Sequence, residues 1–224
     1  MIPLRDENPT STTPFVTVAL IAINVLVFAY QLTLTTAESQ RFVYTFGAVP
    51  LWLSQDMSGL PALPVHWLSL FSAMFVHGGF MHLAGNMLYL WIFGNNIEDH
   101  LGHFRFILFY AAAGLAAALA HVLSDVVSPV PMIGASGAIS GVLGAYFVLY
   151  PRARVVVLIW LFFFIRFIHV PAFLVLGLWF IMQLPGAFNQ SGGIAWFAHI
   201  GGFVFGLLVI RGFRWRRPQR PFLM

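Results

Sequence analysis

Long apolar runs recur along this chain, and they constrain its fold more than any other feature. A helix that crosses the hydrocarbon core of a bilayer needs roughly 20 apolar residues. Six segments come near this length, at about 15–34, 80–97, 104–123, 136–150, 165–184 and 194–210. Only 8% of the 224 residues are charged, against about 25% in a soluble domain. The sequence therefore predicts an all-α polytopic membrane protein with six transmembrane helices.

The distribution of the 11 basic residues, all of them arginines, predicts the orientation of the spans. If six spans place both termini on one side, ten arginines lie on that side and Arg41 alone lies on the other. Cytoplasmic loops are enriched in basic residues. We therefore expect a multi-pass protein of a plasma membrane, most simply a bacterial inner membrane, with both termini cytoplasmic. Orientation and contact with membrane lipid explain the positive charge without a nucleic-acid partner.

The chain divides into three regions, with one loop of unusual composition. We expect a short cytoplasmic N-terminal segment, a membrane domain and a basic cytoplasmic tail at residues 1–14, 15–212 and 213–224. The stretch 35–79 between the first two spans carries Trp52, Pro61 and Trp67, and it is too aromatic for a free linker. Because aromatic, amphipathic segments lie at membrane interfaces, we expect a structured loop on the outer face.

The stretch PMIGASGAISG, residues 131–141, interrupts the apolar pattern with three glycines and two serines. Ser136 lies 16 residues before Arg152, which is about 24 Å along a helix. The hydrocarbon core is about 30 Å thick, so this helix begins below the outer surface. Non-helical backbone at that depth must be buried by protein or line a wet cavity. The segment therefore has the geometry of a functional site.

Polar residues on the second and sixth spans fall near the same depth as Ser136. His82 and Asn86 are four residues apart and share one helical face. Asn86 and His199 each lie 12 residues before the charged residue that ends their span, which is roughly 18 Å. Polar groups inside a membrane are costly and are candidates for function. We expect these four side chains to form one site.

Two G-x-x-x-G pairs, Gly137–Gly141 and Gly202–Gly206, favour close packing of the fourth and sixth spans. Such packing brings His199 within reach of Ser136. A serine hydroxyl is a weak nucleophile that needs a neighbouring base, and neutral imidazole suits that task near pH 7. The polar pair on the second span and the start of the fourth helix can donate to the oxyanion of acyl transfer. Close packing alone is the competing explanation for small residues here.

Other catalytic classes find little support in this sequence. There is no cysteine, which excludes thiol catalysis. There is no HExxH motif, and none of the four aspartates lies inside a predicted span, which argues against metalloproteases and aspartyl proteases. The segment EDHLGH, residues 98–103, could hold a metal, but a solvated loop is the favoured interpretation. We expect neither a metal nor a cofactor.

Three blocks lie in order on the second, fourth and sixth spans: HGGFMHLAGNMLYLWIFGNNIEDHLG (77–102), GASGAISGVLGAY (134–146) and AHIGGFVFG (198–206). Together they resemble the rhomboid intramembrane serine proteases, over about residues 13–212. The resemblance implies a six-helix rhomboid-like bundle whose first outer loop lies partly in the membrane. It implies Ser136 as the nucleophile and His199 as the general base. His82, Asn86 and the Ser136 backbone N–H would donate to the oxyanion.

The resemblance also implies a substrate class and a gating segment. Substrates would be single-span transmembrane proteins that enter between the second and fifth spans and are cut near small residues in an unwound segment. The site would open to the outer face, and residues 184–194 would form a mobile cap loop. Two positions depart from the family. Leu68 follows Trp67 where many members have arginine, and Ser140 stands where many have an aromatic that stacks under the catalytic histidine.

Two other functions are compatible with the composition. A non-catalytic rhomboid-like scaffold would bind transmembrane helices, but it would be expected to lack Ser136 or His199, and both are present. A small transporter would more naturally show repeated halves with matching helix breaks. The sequence has one strongly broken helix start and no clear repeat, so it favours the protease.

Overall fold

The computed structural model describes residues 2–57, 64–161, 163–189 and 194–213 of the chain. These residues are mostly helical, and three strands form one small sheet. The helices are α1 (Phe15–Gln31), α2 (Thr36–Phe46), α3 (Pro50–Met57), α4 (Pro64–Ser72), α5 (Phe80–Tyr89), α6 (Asn95–Leu101), α7 (His103–Ser124), α8 (Ser136–Leu149), α9 (Ala172–Ile181), α10 (Gln183–Asn189) and α11 (Trp196–Val209). The strands are β1 (Ile2–Asp6), β2 (Arg154–Leu161) and β3 (Phe164–Pro171). A π-helical turn, Leu90–Gly94, joins α5 to α6.

Helix α8 lies at the centre of the helical bundle. Every residue from Gly137 to Tyr146 is buried, and α7 and α11 pack along it. The rings of Phe93 and Tyr146 meet edge to face with centroids 4.9 Å apart, which adds to the stability of the core. The first residue of this central helix is Ser136, so the core fixes the position of that serine.

Each segment that was predicted to span the membrane contains a helix, but most of these helices are short. By length and composition, α7 is the one described helix that could cross a bilayer by itself, and His66–Phe75 with Phe80–Leu101, bent by 81°, could form a second span. The other apolar helices are shorter, and the 14 residues of α8 reach only about 21 Å. The count of six spans therefore stays a prediction.

The fifth predicted span, at about 165–184, is helical only in its second half. Its first residues lie in β3, which pairs antiparallel with β2 from Arg154↔Pro171 to Leu161↔Phe164. The hairpin is rich in valine, isoleucine and phenylalanine, which favour strands. A continuous apolar run does not by itself distinguish a strand from a helix. The described chain is thus mostly α, with one sheet that the sequence prediction did not include.

The N-terminal segment supplies the edge strand β1 of this sheet. β1 pairs antiparallel with β2, and the Asp6 carboxylate accepts hydrogen bonds from the Tyr146 hydroxyl at 2.6 Å and from Asn96 Nδ2 at 2.7 Å. Burial raises the pKa of the Asp6 carboxyl, although these hydrogen bonds oppose the shift. The predicted segment 1–14 is therefore tied to α8. Of the predicted tail 213–224, all but Phe213 lies outside the described residues.

The loop between α1 and α5 is structured, as its aromatic composition predicts. Helices α2, α3 and α4 fill its described part, and Pro61 lies outside the described residues. The rings of Trp52 and His66 stack with centroids 5.4 Å apart. Ala48 forms a β-bridge with Met132, so the loop holds the segment that leads to α8. Its embedding in the membrane stays a prediction.

Candidate active site

A cavity of about 1230 Å³ opens among helices α5, α8 and α11. Its lining includes the four side chains predicted from the sequence, Ser136, His199, His82 and Asn86. These residues lie far apart in the chain and on three different helices. The fold therefore gathers them around one space that is large enough for an extended peptide segment.

Ser136 is the first residue of α8 and follows a non-helical segment, as predicted. Gly134 in that segment has a φ of +114°, a conformation that favours glycine. Its N–H donates to the carbonyl of Ala73 at 2.8 Å. A Cβ added to Gly134 would lie 2.5 Å from His82 Nε2. Glycine here thus permits both the sharp approach to α8 and the nearness of the His82 ring to the segment that precedes Ser136.

Glycines bring α8 and α11 together. A Cβ on Gly206 would clash with the carbonyl of Gly141, and Gly202 approaches the α8 backbone in the same way. Such contact between backbones is what small residues allow at helix interfaces. As a result, His199 Nε2 lies 2.8 Å from Ser136 Oγ, which is hydrogen-bonding distance.

His82 and Asn86 lie beside the start of α8. The Gly78 backbone N–H donates to His82 Nδ1 at 3.4 Å, so the proton of the neutral ring resides on Nε2, which faces Gly134. Asn86 Nδ2 lies 2.9 Å from Nε2 of the buried His77. His77 was not among the candidate residues named from the sequence, and its contact orients the Asn86 amide.

The second ring nitrogen of His199 also has a partner. His199 Nδ1 lies 2.9 Å from Oε1 of Gln183, and Gln183 is only 5% exposed. The rings of Trp179 and Trp196 flank the imidazole, with centroids 5.9 Å and 6.1 Å away. The depths of polar residues were compared only on the second, fourth and sixth predicted spans, so Gln183 on the fifth was missed. A lone amide at the end of the fifth apolar run was the available signal.

Ser140 occupies the position at which the resemblance to rhomboid proteases predicts an aromatic residue. It is fully buried and donates from Oγ to the carbonyl of Ser136 at 2.6 Å. Ser140 faces Gly202 on α11, since a Cβ added to Gly202 would lie 3.3 Å from the Ser140 Cβ. The aromatic contacts to His199 come instead from α9 and from α11 itself.

The predicted cap loop at 184–194 is partly helical. Residues 184–189 belong to α10, and 190–193 lie outside the described residues. A Cβ on Gly186 would clash with the ring of Trp196, so α10 rests on the start of α11. The mobility of this segment stays a prediction.

The EDHLGH segment is a structural anchor in this fold. Glu98 is fully buried, accepts from the backbone N–H groups of Val16 and Thr17 at 2.9 Å and 2.8 Å, and lies 2.6 Å from His103 Nδ1. It thereby satisfies N–H groups at the start of α1, and the solvated-loop interpretation is wrong for this residue. Among the described residues, no group of three or more histidine, cysteine, aspartate or glutamate side chains could hold a metal ion.

Comparison with known proteins decides the family. The family model described as "Rhomboid domain" matches residues 64–216, which is more than half of the chain. This chain belongs to the rhomboid family. The match covers all the helices from α4 to α11, and with them the four predicted site residues. Family membership also makes this rhomboid a membrane protein.

Named relatives of this rhomboid come from several kingdoms. It is 31% identical over 151 residues to "Rhomboid protein 1, mitochondrial" of Saccharomyces cerevisiae, covering 63% of this chain and 40% of that protein. It is 47% identical over 79 residues to "Rhomboid protease GluP" of Bacillus subtilis, covering 35% of this chain and 15% of that protein. It is 40% identical over 76 residues to "RHOMBOID-like protein 5" of Arabidopsis thaliana, covering 34% of this chain and 25% of that protein. This rhomboid spans 40% or less of the length of each of the three.

Proposed function

We propose that this rhomboid is an intramembrane serine endopeptidase that cleaves transmembrane segments of other membrane proteins. The observation that carries the proposal is the 2.8 Å contact between Ser136 Oγ and His199 Nε2 at the wall of the cavity. A nucleophile and its base within hydrogen-bond reach are the signature of nucleophilic catalysis. One similar protein is named a rhomboid protease, which supports the same chemistry for this chain.

In the proposed reaction, Ser136 attacks and His199 moves the proton. His199 Nε2 accepts the hydroxyl proton while Ser136 Oγ bonds to the scissile carbonyl carbon, and the carbonyl π electrons move onto oxygen. The C–N bond then breaks, and the leaving amine takes the proton from Nε2. In the second half, water gives a proton to Nε2 while its oxygen bonds to the acyl carbon. The bond from that carbon to Ser136 Oγ then breaks, Oγ takes the proton back from Nε2, and the acid product leaves. The cycle needs no cofactor.

The proposed oxyanion donors are the side chains of His82 and Asn86 and the backbone N–H of Ser136. The proton on His82 Nε2 follows from the bond that its Nδ1 accepts from Gly78. One N–H of the Asn86 amide lies near His77, and the amide has a second N–H for the oxyanion. The positive end of the α8 dipole lies at Ser136 and favours negative charge there. Donors fixed before the reaction stabilise the oxyanion most.

The proposed substrates are single-span transmembrane proteins. A transmembrane helix uses its backbone hydrogen bonds internally, so the segment to be cut must unwind before its carbonyl reaches Ser136. The arginine distribution supports a plasma-membrane location, most simply a bacterial inner membrane, with both termini cytoplasmic and the cavity open to the outer face. Membrane lipid is the surrounding partner.

Labelling with a fluorophosphonate, which reacts with activated serine hydroxyls, tests the proposed nucleophile. In purified protein, we expect one adduct on Ser136, located by peptide mass spectrometry, and at least a hundredfold slower labelling in His199→Ala because the base is lost, in line with about 10²–10⁴-fold effects of general bases. Ser124→Ala is the matched control, since Ser124 also lines the cavity but its hydroxyl donates to the backbone carbonyl of His121. An adduct on another serine, or labelling of His199→Ala at the wild-type rate, would contradict the proposal.

A further inference from the structure

We infer that Gln183 is a positioning residue for His199, whose side-chain oxygen accepts the Nδ1 proton and holds the imidazole with Nε2 turned to Ser136. The inference rests on the proposed protease function and adds a third group to the serine–histidine pair. It concerns a side chain outside the three sequence blocks that suggested the site.

The hydrogen bonds around Gln183 fix which end of its amide faces the histidine. Gln183 Nε2 lies 2.6 Å from the backbone carbonyl oxygen of Trp179. A carbonyl oxygen only accepts, so the NH₂ group must point to Trp179. The amide oxygen Oε1 then faces His199 Nδ1 at 2.9 Å and can only accept from it. The proton of the neutral ring is therefore on Nδ1, and the Nε2 lone pair is free to take the proton of Ser136.

A break between two helices places the amide in this position. Helix α9 ends at Ile181 and α10 begins at Gln183. The last carbonyls of a helix lack partners within the helix. The Met182 N–H donates a hydrogen bond to the Leu178 carbonyl, and the Gln183 side-chain amide donates one to the Trp179 carbonyl. The amide is thus held between the end of α9 and the histidine on α11, and it is almost fully buried.

The surroundings of His199 explain why an amide serves here. Among the described residues, the titratable groups that act electrostatically on His199 are His82 on α5 and His121 on α7, and neither is a carboxylate. Position 140 is a serine, so it provides no aromatic ring to pack against His199. Gln183 is therefore the acceptor that selects the tautomer, while Trp179 and Trp196 restrict the tilt of the ring. In serine proteases with a triad, a carboxylate fulfils the same task.

Two substitutions separate positioning from packing. Gln183→Met keeps the length of the side chain but removes the acceptor, and we expect kcat to fall about tenfold to hundredfold with KM little changed, as for loss of one buried hydrogen bond. Gln183→Glu offers a carboxylate to Nδ1. An anion at that distance stabilises the imidazolium, so we expect the acidic limb of the kcat–pH profile to move to higher pH by about one unit or more.

Asn24→Leu is the matched control. Asn24 is likewise a buried amide, and its Nδ2 donates to the Leu20 carbonyl four residues back, as Gln183 Nε2 does to the Trp179 carbonyl. It lies on α1, outside the cavity lining. We expect Asn24→Leu to change thermal stability while leaving kcat and the pH profile at wild-type values.

A readout that needs no turnover keeps this inference apart from the proposed function. In protein labelled with ¹⁵N-histidine, the resonances absent from His199→Gln identify His199. We expect the Nδ1–H tautomer in the wild type and a mixture of tautomers in Gln183→Met. An Nε2–H tautomer in the wild type, an unchanged tautomer in Gln183→Met, or wild-type kcat and pH profile in both Gln183 variants would overturn the role of Gln183. Failure of the wild type to cleave any substrate would instead count against the protease function.

Discussion

At the scale of single residues, Gly134 is the clearest constraint on the site. Its φ of +114° disfavours any side chain, and a Cβ would lie 2.5 Å from His82 Nε2. We predict that Gly134→Ala lowers kcat by about tenfold or more, since a displacement near 1 Å at a reacting centre can reduce rates about 10²-fold. Two quantities are measured for the variant: kcat on a transmembrane substrate and the thermal unfolding temperature.

Gly212→Ala is the control for this prediction. A Cβ on Gly212 meets nothing within 4 Å, and its φ is not among the positive values. It should therefore keep the wild-type kcat. Wild-type kcat in Gly134→Ala would show that His82, the proposed oxyanion donor, tolerates the shift, and it would remove the reason given for this glycine.

Residue types and spacing identified some site residues and missed another. Ser136, His82, Asn86 and His199 could be found because polar side chains on apolar helices are rare and their depths can be compared. The position of the Gln183 side chain depends on the helix break at Met182. No glycine or proline at that position indicates the break in the sequence. The contact between His77 and Asn86 likewise depends on the loop geometry before α5.

At the scale of elements, the contact between α8 and α11 sets the distance between nucleophile and base. Gly206 lies seven residues after His199 on the same face of α11, and its Cα approaches the Gly141 carbonyl too closely for a Cβ. We predict that Gly206→Ala separates the helices and lowers both kcat and thermal stability, the latter by about 1–3 kcal/mol as for overpacked cores. Activity and thermal unfolding of the purified protein measure the two effects.

Gly177→Ala on α9 is the matched control for the helix contact. A Cβ there would meet only Phe147 at 3.7 Å, an ordinary contact. Because alanine favours helix over glycine by roughly 1 kcal/mol, this variant should be as stable as the wild type or more stable. If Gly206→Ala behaved like Gly177→Ala, the close approach of α8 and α11 would not be needed for the site.

Helices and loops were predictable where glycines and prolines marked them. The strands were not predictable, because their sequence is only a run of apolar residues. The paired glycines indicated which helices touch, and the prolines and glycine before Ser136 indicated the non-helical approach to α8. The hairpin of β2 and β3 was missed because its apolar residues are as typical of a membrane-spanning helix as of a buried strand. What settles the choice is pairing with β1, a contact across about 150 residues that local sequence does not report.

At the scale of the whole molecule, the fold separates anchoring from chemistry. The buried Glu98 ties α1 to α6. Asp6 at the end of β1 ties the N-terminal segment to α6 and α8 through Asn96 and Tyr146. The cavity lies at the start of α8, toward the other end of that helix. The family match spans the helices that build the cavity. The charge distribution and the apolar runs predicted a helical membrane protein, while the number of spans and their orientation remain predictions.

The central claim, that Ser136 and His199 cut peptide bonds within the membrane, is tested most directly by cleavage in proteoliposomes. The purified protein is reconstituted with a single-span substrate that carries small residues in its membrane segment, and the products are sized by mass spectrometry. The account predicts one cut within or beside the membrane segment, and no cut above background with Ser136→Ala or His199→Ala. Cleavage by Ser136→Ala at the wild-type rate, or no cleavage by a correctly folded wild type across a panel of such substrates, would contradict it.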